Sequence, residues 1–238
     1  MPWPRSGRKP KDSQENPVSD AQLAERLRRR DEIAFLQLYD LHRGSVYRFL
    51  MHMTGSIALA EELTQGVFVM VLDSISTGAI GHFDPQKGTL EGYLLGIARN
   101  LTRAERRRTN RLVSLDSVLE TPELDRILEG VSQKIQSWDV SATLAVRSEL
   151  RLLYRAILEL PEHYREAVVL CSLQEKSYRD AAVILQCSEG TIASRMNRAK
   201  ALLAAKLQRA SLGSENKMSL LEREEGADVR RAVKANGN

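Results

Sequence analysis

The sequence predicts an all-α protein in which two helical domains are joined by a flexible linker. Apolar residues recur at helical spacing in several long segments, and no segment shows the alternation of a strand over a useful length. Between two regions with this clear pattern, the stretch SLDSVLETPELDRILEGVSQKIQSWDVSA mixes polar residues with scattered Leu, Ile and Val. The predicted organisation is a disordered arm at 1–18, a first domain at 19–109, a linker at 110–148, a second domain at 149–210 and a charged tail at 211–238.

The composition fits a chain with real hydrophobic cores in a reducing compartment. Hydrophobic residues make up 42% of the chain, and no apolar run approaches the roughly 18 residues that a membrane-spanning helix needs. The N-terminal stretch lacks the apolar segment of a secretory signal, and two cysteines are too few for a disulfide framework. We therefore expect a cytoplasmic protein with no membrane span. The net charge of +4 permits a nucleic-acid partner without requiring one.

The first domain is predicted from two amphipathic helices and the loop between them. One helix has an apolar face made of Leu63, Val67, Met70, Val71 and Ile75, and the other has one made of Leu90, Tyr93, Leu94, Ile97, Ala98 and Leu101. The intervening STGAIGHFDPQKGT holds three glycines and a proline, which indicates a loop. The outer stripe of the second helix is a basic ridge suited to phosphates, made of Arg99, Asn100, Arg103, Arg106, Arg107 and Arg108.

The second domain carries the pattern of a helix-turn-helix near its end. A short helix over 178–185 precedes a break at QCS, and Ser188 is a natural N-cap for the next helix. The core face of that helix is predicted from apolar residues at i, i+4, i+7 and i+11, namely Ile192, Met196, Ala199 and Leu203. Outward polar groups able to bind base edges and phosphates lie on Thr191, Ser194, Asn197 and Arg198. Taken alone, the same pattern also fits a plain helical hairpin with a solvated face.

Longer stretches around these motifs resemble a known family. LELPEHYREAVVLCSLQEKSYRDAAVILQCSEGTIASRMNRAKALL resembles region 4 of bacterial RNA polymerase sigma factors, and the compact extracytoplasmic-function subtype fits best. DEIAFLQLYDLHRGSVYRFL, AEELTQGVF and FDPQKGTLEGYLLGIARN resemble region 2 in order and spacing. The resemblance implies a protein that binds core RNA polymerase and directs promoter-specific initiation. It would read the upstream (−35) element as duplex and the downstream (−10) element as a melted strand.

The resemblance also implies partners and roles for particular residues. The polymerase would be held through its largest-subunit coiled coil by Glu61, Glu62, Leu63 and Gln65, and through its second-largest-subunit flap by the apolar side of region 4. The upstream element would be contacted by Ser177, Thr191, Ser194, Arg195, Asn197 and Arg198. The downstream element would be contacted by His82, Phe83, Lys87, Arg99, Asn100, Arg103, Arg106 and Arg107. An anti-sigma protein is a further expected partner.

Departures from the family pattern bear on the predicted contacts. Gly66 lies in mid-helix, where a glycine costs about 1 kcal/mol relative to alanine. Ala193 stands where a basic residue is frequent, so one expected DNA contact is missing. Gln186 replaces the usual glycine of the turn, and we expect the turn to be made without a left-handed residue.

No pattern of an active site is found in the sequence. A P-loop, a dinucleotide fingerprint and a nucleophile elbow are all missing, and the histidines and cysteines lack the spacing of a zinc site. We predict no catalytic residue, no metal and no cofactor. Two alternatives stay open: a stand-alone helix-turn-helix regulator, and a helical adaptor that binds only protein. The acidic AEELTQ segment and the basic ridge favour the sigma factor, because a repressor needs neither of them.

Overall fold

The computed structural model describes residues 19–109 and 140–210, and within these two ranges the regular structure is entirely helical. The first domain consists of α1 (Asp20–Arg28), α2 (Glu32–Thr54), α3 (Ile57–Ser76), a short 3₁₀ helix (Ala79–His82) and α4 (Leu90–Thr109). The second consists of α5 (Val140–Leu158), α6 (Glu162–Val168), a π-helical turn (Val169–Leu173), α7 (Tyr178–Leu185) and α8 (189–210). The predicted all-α class is confirmed. The predictions of a disordered arm and a charged tail lie outside the described residues.

Side-chain caps determine where the helices of the first domain begin. Ser19 and Gln22 form a reciprocal capping box at α1. Asp31 accepts hydrogen bonds from the first backbone amides of α2, and Ser56 does the same for α3. Gly55 ends α2 in the left-handed conformation, with φ of 71°. These local signals set α2 and α3 as consecutive helices joined by a tight turn.

The core of the first domain lies between α2, α3 and α4. Its centre is the fully buried Phe49, and the predicted apolar faces supply Leu63, Val67 and Val71 from α3 and Leu90, Leu94 and Ala98 from α4. Phe68 is only 3% exposed and packs its ring against Tyr39, with 4.7 Å between ring centroids. Gly66 faces α4, where an added Cβ would lie 3.4 Å from Leu101 Cδ1. An alanine side chain would therefore reach van der Waals contact with α4 here, and nothing in the packing explains the glycine.

In the second domain, helical structure begins earlier than the predicted domain boundary. α5 starts at Val140, so 140–148 is helix although this stretch was assigned to the linker. The sequence VSATLAV holds no glycine or proline, and its alanine and leucine support a helix even though its polar pattern is weak. The rest of the predicted linker lies outside the described residues.

The turn of the helix-turn-helix contains a left-handed residue, and the expectation of a turn without one is wrong. Gln186 has φ of 52° and ψ of 50°. The amide of Cys187 donates to the carbonyl of Ala182 at 3.0 Å, and the amide of Gln186 donates to the carbonyl of Val183 at 3.2 Å. This is the Schellman pattern of a helix end. Two backbone hydrogen bonds hold the glutamine in a conformation that normally favours glycine.

The two domains contact each other across the C-terminal half of α2. Tyr154 of α5 donates its hydroxyl to the carbonyl of Met51 at 3.2 Å, and Arg165 of α6 donates to that of Met53 at 2.8 Å. The amide nitrogen of Gln174 donates to the carbonyl of Ser45 at 3.0 Å. Side chains of the second domain thus satisfy carbonyls along and at the end of a first-domain helix. Among the helices of the described ranges, none is both long and apolar enough to cross a membrane.

Candidate nucleic-acid interface and polymerase-docking surface

The predicted reading helix, α8, has the two faces that its sequence indicates. Ser188 caps it by accepting a hydrogen bond from the amide of Thr191 at 3.2 Å, as predicted. Ile192, Met196 and Ala199 are buried on the inner side, and Leu203 packs against the same core. The outer side exposes Ser194, Asn197 and Arg198. A hydroxyl, an amide and a guanidinium group are therefore presented to solvent on one side of this helix.

Two further residues predicted to meet the upstream element have partly committed polar groups. The Ser177 hydroxyl caps α7 by accepting from the amide of Asp180 at 3.1 Å, and it donates to the carboxylate of the same residue at 2.6 Å. The Asp180 carboxylate thus occupies the N-terminus of α7 and takes up the hydroxyl of Ser177. Arg195 is half-buried, and its Nη1 is buried without a hydrogen-bond partner among the described residues.

The basic ridge of α4 is covered by α6 over much of its length. Arg99 Nε lies 2.8 Å from Glu166 Oε1, and these two side chains are 8% and 0% exposed. Arg103 contacts both Glu162 and Glu166, at 3.0 and 3.1 Å from its Nε, and Arg106 Nη1 lies 3.2 Å from Glu162 Oε2. Charge-assisted pairs of this length are strong hydrogen bonds. Three of the arginines predicted to bind phosphate are therefore held by carboxylates of the second domain.

The rest of the ridge is more open. Asn100 and Arg107 are exposed, and Arg108 pairs with Glu105 of its own helix at 3.0 Å. The arginine ridge is thus divided into a part shared with the second domain and a part that faces solvent.

The loop before α4 places its aromatic residue inside the protein. Phe83 is 6% exposed and meets the edge of Tyr93, with 5.8 Å between ring centroids. Lys87 is exposed and pairs with Asp84 at 3.4 Å, and His82 is the last residue of the 3₁₀ helix. A groove of about 310 Å³ beside the loop is lined by Phe83, Lys87 and Asn100 and, from α7, by Asp180, Val183 and Ile184. Residues predicted to bind the downstream element therefore meet at one groove, and α7 forms its other wall.

A second ion pair between the domains lies at the start of α4. Lys176 Nζ is 2.6 Å from Glu91 Oε2, and Ser45 also donates to the Glu91 carboxylate. Burial raises the pKa of Glu91, but the hydrogen bonds from Lys176 and Ser45 outweigh it, so this pKa lies below its usual value. Glu91 is therefore ionised at neutral pH and holds Lys176 of the second domain.

The predicted docking residues lie at the N-terminal half of α3. Glu61, Glu62 and Gln65 are exposed, whereas Leu63 is buried in the core of the first domain. The structure thus gives α3 an acidic outer face, and the leucine supports that face from behind.

Comparison with known proteins assigns a family to this arrangement. Residues 38–112 match the family Sigma-70 region 2, and residues 150–203 match Sigma-70, region 4. The ECF RNA polymerase sigma factor EcfG of Rhodopseudomonas palustris (strain TIE-1) is 32% identical over 164 residues, which cover 68% of this chain and 79% of EcfG. The chain belongs to the ECF sigma factors. Its first domain is therefore region 2, and its second is region 4.

Other relatives of this ECF sigma factor agree with the assignment. The ECF RNA polymerase sigma factor SigW of Bacillus subtilis (strain 168) is 26% identical over 75% of this chain and 91% of SigW. The structure of CnrH in complex with the cytosolic domain of CnrY is similar at a TM-score of 0.54 and 21% identity, covering 80% of this chain and 97% of CnrH. The structure of Bartonella quintana RpoE in complex with the anti-sigma factor NepR is similar at a TM-score of 0.50 and 22% identity, covering 73% of this chain and 96% of RpoE. The solved structures share the helical fold.

As a sigma factor, the protein directs promoter-specific transcription initiation, which confirms the function that the sequence predicts. The alternative of a stand-alone helix-turn-helix regulator is not favoured. Sigma factors are not enzymes, and no group of three or more metal-ligating side chains lies together in the described parts of regions 2 and 4.

Sequence reasoning missed the acidic partners of the ridge, Glu162 and Glu166. Their spacing of i, i+4 puts two carboxylates on one face of α6, which is a pattern that the sequence does contain. That pattern shows only that the face is acidic. The arginines that it meets lie in the other region, so no local signal pairs the two sets.

Proposed function

We propose that this ECF sigma factor reads the upstream element as duplex DNA with the outer face of α8. The observation that carries the proposal is the exposure of Ser194, Asn197 and Arg198 on one side of a helix whose opposite side is buried. A guanidinium or amide group at such a position can bond two atoms of one base edge in the major groove. Thr191 and Arg195 of α8 are assigned to the phosphate backbone of the DNA, and so is Ser177, which caps α7.

The melted downstream strand is assigned to the ridge of α4 and the loop before it. Arg99, Arg103, Arg106 and Arg107 supply positive charge, and Asn100 supplies an amide for a base edge. Phe83 and Lys87 line the groove beside this ridge, where a flipped base needs stacking and edge contacts. His82, in the loop before α4, is assigned to the same strand. Since Arg99, Arg103 and Arg106 are paired with glutamates of region 4, capture of the strand requires α6 to leave the ridge.

The acidic face of α3 is assigned to core RNA polymerase. Glu61, Glu62 and Gln65 suit a basic coiled coil of the largest subunit, because charge-assisted hydrogen bonds give register as well as affinity. The apolar side of region 4 is assigned to the flap of the second-largest subunit. We place the protein in the cytoplasm with the polymerase, and we expect an anti-sigma protein to sequester it. Support for this partner comes from RpoE, whose solved structure contains the anti-sigma factor NepR.

Run-off transcription from a genomic fragment library tests these assignments. Purified core polymerase is used with and without the protein, and new transcripts that share upstream and downstream elements define the promoter. On that promoter, Asn197→Ala/Arg198→Ala is expected to lower initiation by about thirtyfold or more, since each of the two contacts to a base edge contributes about 1–3 kcal/mol. The matched control is Arg209→Ala, which changes an exposed arginine of the last turn of the same helix.

Equal loss in both variants would contradict a specific role for the outer face of α8. Absence of any new transcript, with duplex binding retained, would instead contradict the assignment of the α3 face to the polymerase.

A further inference from the structure

We propose that the free sigma factor holds itself closed, with Glu162 and Glu166 of region 4 occupying the arginines of region 2 that bind the melted strand. The proposal rests on the assignment of the α4 ridge to DNA. It adds a regulatory contact within the chain: α6 acts as an internal substitute for the phosphate backbone, and this competition weakens the binding of single-stranded promoter DNA by the free protein.

The ion pairs that Glu166 of α6 makes with α4 lie in the interior and not at the surface. Glu166 is fully buried, and both of its oxygens are bonded, to Nε of Arg99 at 2.8 Å and to Arg103 at 3.1 and 3.2 Å. Arg99 itself is buried. A buried carboxylate needs such partners, because desolvation of an unpaired charge is strongly unfavourable. The pairing of region 4 with the ridge is therefore specific.

Glu162 extends the same contact toward solvent. It bonds Arg103 at 3.0 Å and Arg106 at 3.2 Å from its two oxygens. Guanidinium groups bind carboxylates and phosphates with the same N–H donors in the same planar geometry. An arginine that is committed to these glutamates cannot give those donors to a phosphate, so the two ligands compete for one set of groups.

Region 4 also covers the groove where the downstream base is expected. One wall of that groove is α7, and it brings Asp180 opposite Lys87 and Asn100. The approach is close at Gly92, where an added Cβ would lie 3.6 Å from Ile184 Cγ1. The covering of the ridge by α6 and of the groove by α7 are separate observations on the same side of region 2.

Contacts away from the DNA-binding groups hold the closed arrangement in place. Arg165 donates a hydrogen bond to the carbonyl of Met53, and Tyr154 donates one to the carbonyl of Met51. Lys176 forms an ion pair with the carboxylate of Glu91. None of these three side chains belongs to the residues assigned to DNA or to polymerase. Their effect is therefore to hold the domains together, and docking of the two regions at different sites on the polymerase would have to break them.

A reversible covalent lock tests the closed state. An added Cβ at Gly88 would lie 3.4 Å from Val183 Cγ1, so cysteine side chains at these two positions would be close enough to be joined by a disulfide. The full-length variant Gly88→Cys/Val183→Cys is made with Cys171→Ala and Cys187→Ala, so that the two native free thiols do not interfere. We expect the disulfide to form on oxidation. The oxidised protein should lose binding to a fluorescein-labelled single strand of the promoter and lose run-off activity with core polymerase, and a reductant should restore both.

The competition between the glutamates and phosphate is tested by the double variant Glu162→Gln/Glu166→Gln, which keeps the shape of the two side chains and removes their charges. We expect the free variant to bind the labelled single strand about tenfold more tightly than the wild type, as phosphates no longer compete with carboxylates. Glu159→Gln is the matched control, because Glu159 pairs with Lys206 within region 4 at 2.5 Å and should leave strand binding unchanged.

Failure of the disulfide to form would overturn the closed state, and so would strand binding by the oxidised protein equal to that of the reduced protein. Equal strand binding by the glutamine variant and the wild type would overturn the role of the glutamates. The proposed function is tested separately, by transcription with core polymerase, and it fails if neither the reduced variant nor the wild type supports transcription. Disulfide formation is measured on the free protein without polymerase, so the two failures can be told apart.

Discussion

At the residue scale, Gln186 shows how two backbone hydrogen bonds override a residue's conformational preference. A non-glycine residue in the left-handed region costs about 1–2 kcal/mol, and Gln186 adopts it at the end of α7. We predict that Gln186→Gly raises the free energy of unfolding by about 1 kcal/mol, after allowance for the greater freedom of glycine in the unfolded chain. Thermal and urea unfolding of the two proteins measure the change.

Lys200→Gly serves as the control for this prediction. Lys200 is exposed in the middle of α8, where glycine lowers the free energy of unfolding by about 1 kcal/mol. A loss of stability in both glycine variants would mean that the left-handed conformation of Gln186 carries no strain.

At the element scale, α3 separates a supporting face from a binding face. Leu63 lies in the core, whereas Glu61 and Glu62 face solvent. We predict that Glu61→Lys/Glu62→Lys weakens binding to core polymerase by about tenfold or more, because like charges would then face the basic partner. The fold should be retained, because both positions are exposed. Fluorescence anisotropy of the labelled protein titrated with core polymerase measures the affinity.

Asp73→Lys makes a charge reversal of the same kind at an exposed position in the last turn of α3. It should leave polymerase binding near that of the wild type. If both variants bound core equally well, docking would have to be assigned to another face of region 2.

The elements themselves follow from local signals, and the exceptions have local explanations too. The apolar faces of α4 and α8 and the cap at Ser188 appear in the structure as their spacing predicts. The face of α3 does so for Leu63, Val67, Val71 and Ile75, whereas Met70 of the predicted face is exposed. The predicted boundary at residue 149 lies later than the observed start of α5 at Val140, because the small and polar residues of 140–148 give a weak periodic signal by themselves. The turn at Gln186 was misjudged because propensity describes a residue alone, whereas the Schellman hydrogen bonds act on the whole turn.

At the scale of the whole molecule, His52 links the contact between the regions to pH. Its ring meets Tyr154 of region 4, with 5.7 Å between centroids, and its Nδ1 is buried without a partner among the described residues. Burial lowers the pKa of His52 to about 4, and the nearby Arg48 adds to this effect. The unfolded chain, with a histidine pKa near 6.5, therefore takes up a proton more readily than the folded chain.

The sign of the pH dependence follows from this difference. The stability that depends on neutral His52 is fully present above pH 6.5 and is lost as the pH falls toward about 4. The loss in the free energy of unfolding amounts to up to roughly 3 kcal/mol. We predict that His52→Phe, which keeps a ring against Tyr154, flattens the fall in unfolding free energy between pH 7 and pH 5. Urea unfolding at several pH values measures it.

His163→Gln is the control for this experiment, since His163 lies exposed on α6. It should keep the wild-type slope. A wild-type slope that persisted in His52→Phe would show that other groups cause the acid sensitivity.

The helical class, the family and the direction of the main helical faces can be read from the amino-acid sequence alone. Apolar residues that recur every three or four positions indicate which side of a helix packs against its own domain. The order of the motifs identifies regions 2 and 4. The residues predicted for the polymerase, the duplex and the melted strand lie on α3, on the α7–α8 unit, and on α4 with its preceding loop. Such patterns are local, so they can be read along one stretch of chain.

What covers those faces is visible only in the three-dimensional arrangement of the two domains. Arg99 was predicted on an outer stripe, and it does face away from the core of region 2, but Glu166, 67 residues further along the chain, buries it. Periodicity describes how a segment meets its own domain and carries no information on a contact made by a distant segment. A buried ion pair depends on the three-dimensional approach of two helices from different domains, since only their geometry removes the charges from water.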